Sequence, residues 1–240
     1  MKSREENQLK VLDLGLIKYR DAWSIQKTAQ RALINNENLE DLLIFCEHYP
    51  VITLGKSGKA DHLILKKEEL LKRGIEFYQV ERGGDITYHG PGQLVVYPIL
   101  NLYRYKTDVN WYLRALEEII ILLLKKYGVE GIRVEKKTGV WVSGRKELKK
   151  IASIGVRLSR WRTMHGLAIN ITAQPNFNLI IPCGIKGCRV TSFEEEIGAL
   201  PDIREIKDNF LSAFCSVFNC TVLNKDLNKE RSSFQSGFSL

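Results

Sequence analysis

The sequence is sparing in cysteine, proline, histidine and methionine: five, six, four and two among 240 residues. Five cysteines, an odd number, are too few and too scattered for a disulfide scaffold in a chain of this length. No Cys-x-x-Cys pair occurs, and the Cys183/Cys188 and Cys215/Cys220 spacings fall outside the usual zinc-ligand patterns. The expectation is reduced thiols in a cytoplasmic setting, with no metal and no cofactor. Long apolar runs are missing as well. The longest aliphatic stretch, Ile119–Leu124, is closed by Glu118 and Lys125, far short of the roughly 20 residues that span a bilayer. The opening MKSREENQLK has no apolar core of a secretory signal. Low-complexity linkers and internal repeats are absent too.

What remains is an ordinary globular composition, 44% hydrophobic and 27% charged. One imbalance stands out: 36 Lys and Arg against 28 Asp and Glu, a formal charge of +8. Such a surplus suits an acidic partner, whether protein, nucleic acid or anionic membrane.

Periodicity and punctuation predict helices over Tyr19–Asn35, Lys66–Arg73 (stopped by Gly74), Asp108–Tyr127 and Pro201–Asn219. Strands are predicted over Asp41–Glu47, just after Pro50, over Ile75–Val80 and Leu94–Tyr97, and in β-rich pieces at 139–142, 150–157 and 165–171. Polar turns between those pieces argue for antiparallel pairing. The reading is an α+β fold built on a largely antiparallel sheet. It expects one domain over residues 1–223, a small C-terminal subregion within it, and a polar, Ser-rich, disordered tail over 224–240.

Four stretches carry candidate chemistry. The first is Arg82-Gly83-Gly84-Asp85-Ile86-Thr87-Tyr88-His89-Gly90-Pro91-Gly92-Gln93, read as a tight loop between two strands. A hairpin with a glycine bulge would not need Arg, Asp, Thr and His together, and its N–H groups suit an anion or a developing oxyanion. No Gly-Lys-Ser/Thr follows, so it is not a P-loop. The second is Ile180-Ile181-Pro182-Cys183-Gly184-Ile185, read as an apolar strand that presents a thiol at a turn; an inert buried cysteine is the plain alternative. Cys188 is the second choice of nucleophile, while Cys46 and Cys215 read as core and Cys220 as partnerless. The third is Lys150-Ile151-Ala152-Ser153-Ile154-Gly155, where a lysine leads into a strand. The fourth is His165-Gly166-Leu167-Ala168, with a histidine at a strand start that reads as structural. The basic-aromatic cluster Arg157, Arg160, Trp161, Arg162 reads as an exposed turn.

In order along the chain, these stretches resemble the octanoyltransferases of lipoate biosynthesis. The matching text is HYPVITLG at 48–55, RGGDITYHGPGQLVVYPI at 82–99, TGVWV at 138–142, KIASIGVR at 150–157, HGLAINI at 165–171 and PCGI at 182–185 with Val190-Thr191-Ser192. The similarity runs from about residue 11 to 200. It implies the fold of biotin/lipoate protein ligases. It also implies an acyltransferase that moves an octanoyl group from octanoyl-acyl carrier protein to a lysine of lipoyl domains, those of 2-oxoacid dehydrogenase E2 subunits and the glycine cleavage H protein. By the resemblance Cys183 is the nucleophile and Lys150 its partner. Arg82 through His89, Ser153-Ile154-Gly155 and Gly166-Leu167-Ala168 are the substrate-binding segments.

One departure concerns the lysine. Glu147-Leu148-Lys149-Lys150 interrupt a run that reads G-R-K-I-A in the family, so Lys146 and Lys150 both match. Lys150 is preferred, because the strand that follows it sets its direction. Proton transfer falls to Lys150, with His89 as a second candidate. An ATP-dependent lipoate–protein ligase of the same fold is the nearest alternative, and it would need a nucleotide site. A nucleic-acid-binding module rests on the charge alone, and an inactive scaffold would not keep both Lys150 and Cys183. Neither nucleic acid nor membrane is an expected partner, and a monomer is expected.

Overall fold

The computed structural model describes residues 7–144, 147–185 and 187–223. The tail expected over 224–240 and the alternative lysine, Lys146, lie outside these residues. The chain begins with β1 (Asn7–Ile17), α1 (Tyr19–Asn35), β2 (Asp41–His48), β3 (Val51–Leu54), α2 (Lys67–Lys72), β4 (Glu76–Gln79), β5 (Ile86–His89) and β6 (Gln93–Ile99). It continues with α3 (Val109–Lys126), β7 (Gly131–Val134), β8 (Lys137–Ser143), β9 (Leu148–Ser159) and β10 (Arg162–Asn170). Last come β11 (Arg189–Val190), α4 (Phe193–Ile197), α5 (Ile203–Phe218) and β12 (Cys220–Val222).

The main sheet runs β12-β1-β2-β6-β10-β9-β8-β7, with β11 beside β9, and a small sheet runs β4-β3-β5. From β2 to β7 the main sheet is antiparallel, as expected. At its other edge β1 lies parallel to both β2 and β12. The C-terminal segment is therefore part of the sheet and not a subregion of its own: β12 is its edge strand, and α5 packs on α3.

The sheet is covered on both faces, which is why β2 reads as an unbroken apolar run instead of alternating. Leu43 and Phe45 join the core under α3 and α5, while Leu42, Ile44 and Cys46 join the core under α1. On α1 the buried positions Tyr19, Ala22, Gln26, Ala29, Gln30 and Leu33 recur at helical spacing. The carboxylate of Asp108 caps α3 by accepting from Trp111 N at 3.0 Å. Along α3 the run Ile119–Leu124 is buried except at Ile121 and Leu122, which are half-buried.

Three expectations need correction. The glycine-rich stretch is not one loop: Ile86–His89 form β5, paired antiparallel with β3. Ile180 and Ile181 are not a strand; Ile180 makes one bridge to Leu63, and Pro182–Gly184 is a single 3₁₀ turn. The Arg157–Arg162 cluster is not an exposed turn throughout. Arg162 is buried, its guanidinium donating to Leu33 O and Arg160 O, and Arg157 pairs with Glu81 at 2.7 Å.

Candidate active site

A cavity of about 270 Å³ lies between α1, the β6-β10-β9 part of the sheet and the segment leading into β5. That volume is near the lower bound for pockets that enclose a small molecule. Its walls are built by adjacent strands in register. Ala168 of β10 sits between Val95 of β6 and Ser153 of β9, and Gly166 pairs with Gly155. Both glycines are there for space. A Cβ on Gly155 would come within 2.9 Å of Gly83 O and 3.1 Å of Arg82 Cδ, and one on Gly166 would strike Val96 O. Gly155 lets the Arg82–Asp85 segment close over the sheet, and Gly166 lets β10 lie close against β6.

Arg82 is buried and holds that closure. It donates to Thr53 O at 2.8 Å and to Thr53 Oγ1 at 3.0 Å, while Gly83 N donates to Val156 O at 2.8 Å. The Gly83 N–H is thus engaged in tying the segment to β9, which removes it as an oxyanion donor. Gly84, Asp85, Ile86 and Thr87 line the cavity with Arg82.

At one end of the cavity stand Lys150 and Cys183. Lys150 lies inside β9 and is only 3% exposed. Its ammonium donates to Cys183 Sγ at 3.0 Å and to Thr138 O at 3.0 Å, and it lies 5.3 Å from the centre of the Trp141 ring. Room for its side chain comes from Gly139 (φ 120°), whose added Cβ would lie 2.8 Å from Lys150 Cε. Gly139 N in turn donates to Oε1 of the buried Glu117 at 3.1 Å. Among the described residues no carboxylate pairs with Lys150.

Cys183 is half-buried at the tip of its turn and takes a left-handed backbone (φ 55°, ψ 20°). For a residue with a Cβ this conformation costs on the order of 1–3 kcal/mol, and such strain concentrates where a side chain must be aimed. The next residue is also left-handed (Gly184, φ 68°), and a Cβ there would run into Asp85 Oδ2 and approach His62 Cε1 to 2.8 Å. Asp85 and His62 are bonded at 2.7 Å behind the turn. The glycine-rich segment thus reaches across the cavity and backs the cysteine turn.

His89 is buried with its tautomer set by a network. Gln93 Nε2 donates to Tyr88 O and Asn170 Oδ1, so Gln93 Oε1 must accept, and His89 Nδ1–H donates to it at 3.0 Å. Burial, with His48 and Arg82 nearby, pushes His89 down to about 3. The ring is thus a neutral acceptor at Nε2 and is not suited to hold a proton near neutral pH. That tells against the second proton-transfer candidate.

Of the segments singled out in the sequence, Ser153, Ile154 and Gly155 and then Gly166, Leu167 and Ala168 all line the cavity. Gly83 and Tyr88 do not. Tyr88 points into the small-sheet core, where Asn176 Nδ2 donates to its hydroxyl at 2.9 Å and Phe177 packs on its ring. Sequence reasoning missed Tyr19, whose ring lies parallel to His89 at 6.3 Å, and it missed Tyr97. Lys136, Lys137 and Thr138, at the β7-β8 turn, were also missed. Thr138 opens the TGVWV text and was findable; Tyr19 has no local signal, because only the packing of α1 brings it in.

The family model described as the lipoyl protein ligase A/B catalytic domain matches residues 18–215. An octanoyltransferase of Flavobacterium psychrophilum is 44% identical over 228 residues, 90% of this chain and 98% of its own. One from Bacteroides fragilis (strain YCH46) is 46% identical over 202 residues, 82% and 91% of the two chains. The chain belongs to the octanoyltransferase family. It is an acyltransferase, and its chemistry is octanoyl transfer in protein lipoylation. The octanoyltransferase fold is shared with solved ligases. A bipartite lipoate protein ligase from Thermoplasma acidophilum, studied with its E2 lipoyl domain, superimposes with a TM-score of 0.68 at 15% identity. That match covers 97% of this chain and 91% of the other. A lipoate-protein ligase A bound with ATP gives 0.67 at 17% identity, covering 97% and 94%. These likenesses establish the biotin/lipoate ligase fold, whereas the relatives at 44% and 46% identity are octanoyltransferases by name. No helix among the described residues is long and apolar enough to cross a membrane.

Proposed function

We propose that the chain moves an octanoyl group from the thioester of an acyl carrier protein to a lysine of lipoyl domains, through a thioester on Cys183. The observation that carries this reading is the 3.0 Å contact between the buried Lys150 ammonium and Cys183 Sγ at the wall of a partly apolar cavity. The Lys150 ammonium, within hydrogen-bond distance of the sulfur, stabilises the thiolate of Cys183 that does the attacking. The thiolate attacks the carrier's thioester carbonyl. The tetrahedral adduct collapses, the octanoyl–sulfur bond to Cys183 remains, and the carrier's thiolate leaves with a proton from Lys150.

Lys150 is then neutral. The amine of the acceptor lysine attacks the octanoyl-Cys183 carbonyl, Lys150 takes the proton released from that nitrogen, and Cys183 departs as thiolate. The amide is complete and the starting pair is restored, with no ATP and no cofactor consumed. Each buried methylene of the chain contributes about 0.8 kcal/mol, so the cavity supplies several kcal/mol of binding. The formal charge of +8 suits acidic carrier and lipoyl domains. The acceptors in this reading are the lipoyl domains of 2-oxoacid dehydrogenase E2 subunits and the glycine cleavage H protein, met in the cytoplasm by a monomeric enzyme.

Incubation with octanoyl-acyl carrier protein, without ATP or acceptor, should leave one octanoyl group on Cys183, detected by peptide mass spectrometry. No adduct, or transfer that requires ATP, would sink the reading. A related expectation concerns Ala168, buried between Val95 and Ser153. Ala168→Phe should fill the slot and lower the octanoyl-to-butyryl ratio of kcat/KM by about tenfold or more, measured with carrier-linked thioesters. An unchanged ratio would move the chain elsewhere in the cavity.

A further inference from the structure

Among the described residues no carboxylate touches the Lys150 ammonium, yet one stands a single peptide group away. Glu117 lies within α3 among the buried Leu116, Ile119 and Ile120, and it is itself 1% exposed. Its Oε2 pairs with Arg114 and, at 3.2 Å, with Arg133. Both guanidiniums reach solvent, and Arg133 also pairs with Glu118 at the surface. Ion pairs of that kind do not require a buried carboxylate, and burying one is costly. The other oxygen, Oε1, turns to the sheet and accepts from Gly139 N at 3.1 Å.

The Thr138–Gly139 peptide is the link. Its N–H donates to Glu117 Oε1, and its C=O accepts from Lys150 Nζ at 3.0 Å. In a trans peptide the N–H and C=O point in opposite directions. The carboxylate therefore lies on one side of this unit and the ammonium on the other. A hydrogen bond at one end of an amide polarises it and strengthens the bond at the other end. The charge of Glu117 thus reaches Lys150 as a fuller negative charge on Thr138 O. The strands are shaped for this. Gly139 has φ 120°, and a Cβ there would meet Ala152 O at 2.5 Å. Opposite it β9 carries a bulge: the consecutive residues Ile151 and Ala152 both join the core under α3, and the register slips between Val140 and Trp141. The bulge turns Lys150 to the cavity instead of the core.

We propose that Glu117 is a positioning residue for the transfer, holding Lys150 Nζ beside Cys183 Sγ through the Thr138–Gly139 peptide. This rests on the role of Lys150 argued above. The lysine has a flexible four-carbon stem, and its nitrogen has two polar partners here, the sulfur and Thr138 O. Once the sulfur is acylated it no longer draws the nitrogen, and Thr138 O is the partner that keeps the amine at the thioester. Discharge to the acceptor lysine is therefore the step that depends most on Glu117.

The test is single-turnover discharge of octanoyl-Cys183 to a lipoyl domain. Glu117→Asp keeps the charge and leaves the flexible arginines within reach, but its carboxylate is one methylene short of Gly139 N. The rate at saturating acceptor should fall about tenfold or more, while the acceptor concentration for half the maximal rate stays unchanged. Glu117→Met, which removes the acceptor oxygen outright, should show the same pattern with a larger loss. Repeating both substitutions in Lys150→Met enzyme separates positioning from folding. With no amine to hold, each should change the residual rate by less than about twofold. Wild-type discharge in both single variants, or equal losses with and without Lys150, overturns the proposal. The octanoyl adduct on wild-type Cys183 is scored first. Its absence would sink the transfer reading, whereas its presence beside unchanged discharge in the variants sinks the role of Glu117 alone.

Discussion

Cys183→Ser should reduce octanoyl transfer by about a thousandfold or more and abolish the stable adduct, while thermal unfolding shifts little. A hydroxyl is far less acidic than a thiol, so the ammonium 3.0 Å away that stabilises a thiolate does not produce an alkoxide at neutral pH. Serine is close to cysteine in size and can accept the same hydrogen bond from Lys150, so the turn and its backing by Asp85 and His62 should survive. The comparison that gives this result its meaning is Cys188→Ser. Cys188 sits five residues on, half-buried, with its sulfur aimed at Arg189 O at 3.8 Å, and burial pushes its thiol up. It was the second choice of nucleophile from the sequence, and its substitution should cost less than about threefold. Steady-state rates with both carrier and acceptor proteins would check the pair. A Cys183→Ser enzyme that retained a tenth of the activity would show that the acyl group passes directly between carriers, with no thioester on this residue.

The long helices and the strands around the motifs were legible because their signals are local: a cap at Asp108, a glycine at 74 or 128, a stripe of phenylalanines along α5. β1 was not. Its residues alternate only in part, because a bulge between Asp13 and Leu16 breaks the register, and its pairing with β12 joins opposite ends of the chain. Parallel pairing between distant segments leaves no mark in a short window of sequence. β5 was hidden for a different reason. Glycines on either side of Ile86–His89 read as one loop, whereas they mark the two turns that fold a short strand onto β3.

The candidate site divides in the same way. Lys150, Cys183 and the glycine-paired wall came from motif text. The role of Gly155 became visible only when it stood under Arg82 and Gly83. His165 was read as structural because a histidine before a glycine carries no chemistry by itself. It reaches the cavity lining through a left-handed backbone angle, which sequence does not display.

Lys150→Met should lower transfer by about a hundredfold to ten-thousandfold, the range that one proton-transferring group contributes, and should not lower stability. Methionine follows the same channel past Gly139 and Trp141 without burying a charge. Removing a buried ammonium that has no carboxylate partner among the described residues relieves its desolvation cost. Both half-reactions should slow, since the lysine protonates the departing carrier thiol and later takes the acceptor's proton. Single-turnover formation of octanoyl-Cys183 and its discharge to the acceptor measure the two separately. Lys150→Arg is the informative control. A guanidinium keeps the positive charge but does not give up a proton. Arginine should therefore fail to restore discharge. Recovery of discharge in Lys150→Arg would mean that positive charge alone suffices and that the proton travels through another group. Lys146→Met tests the other lysine that matches the family text. It should leave both half-reactions near wild type, because a residue fixed within β9 already occupies the place beside the sulfur.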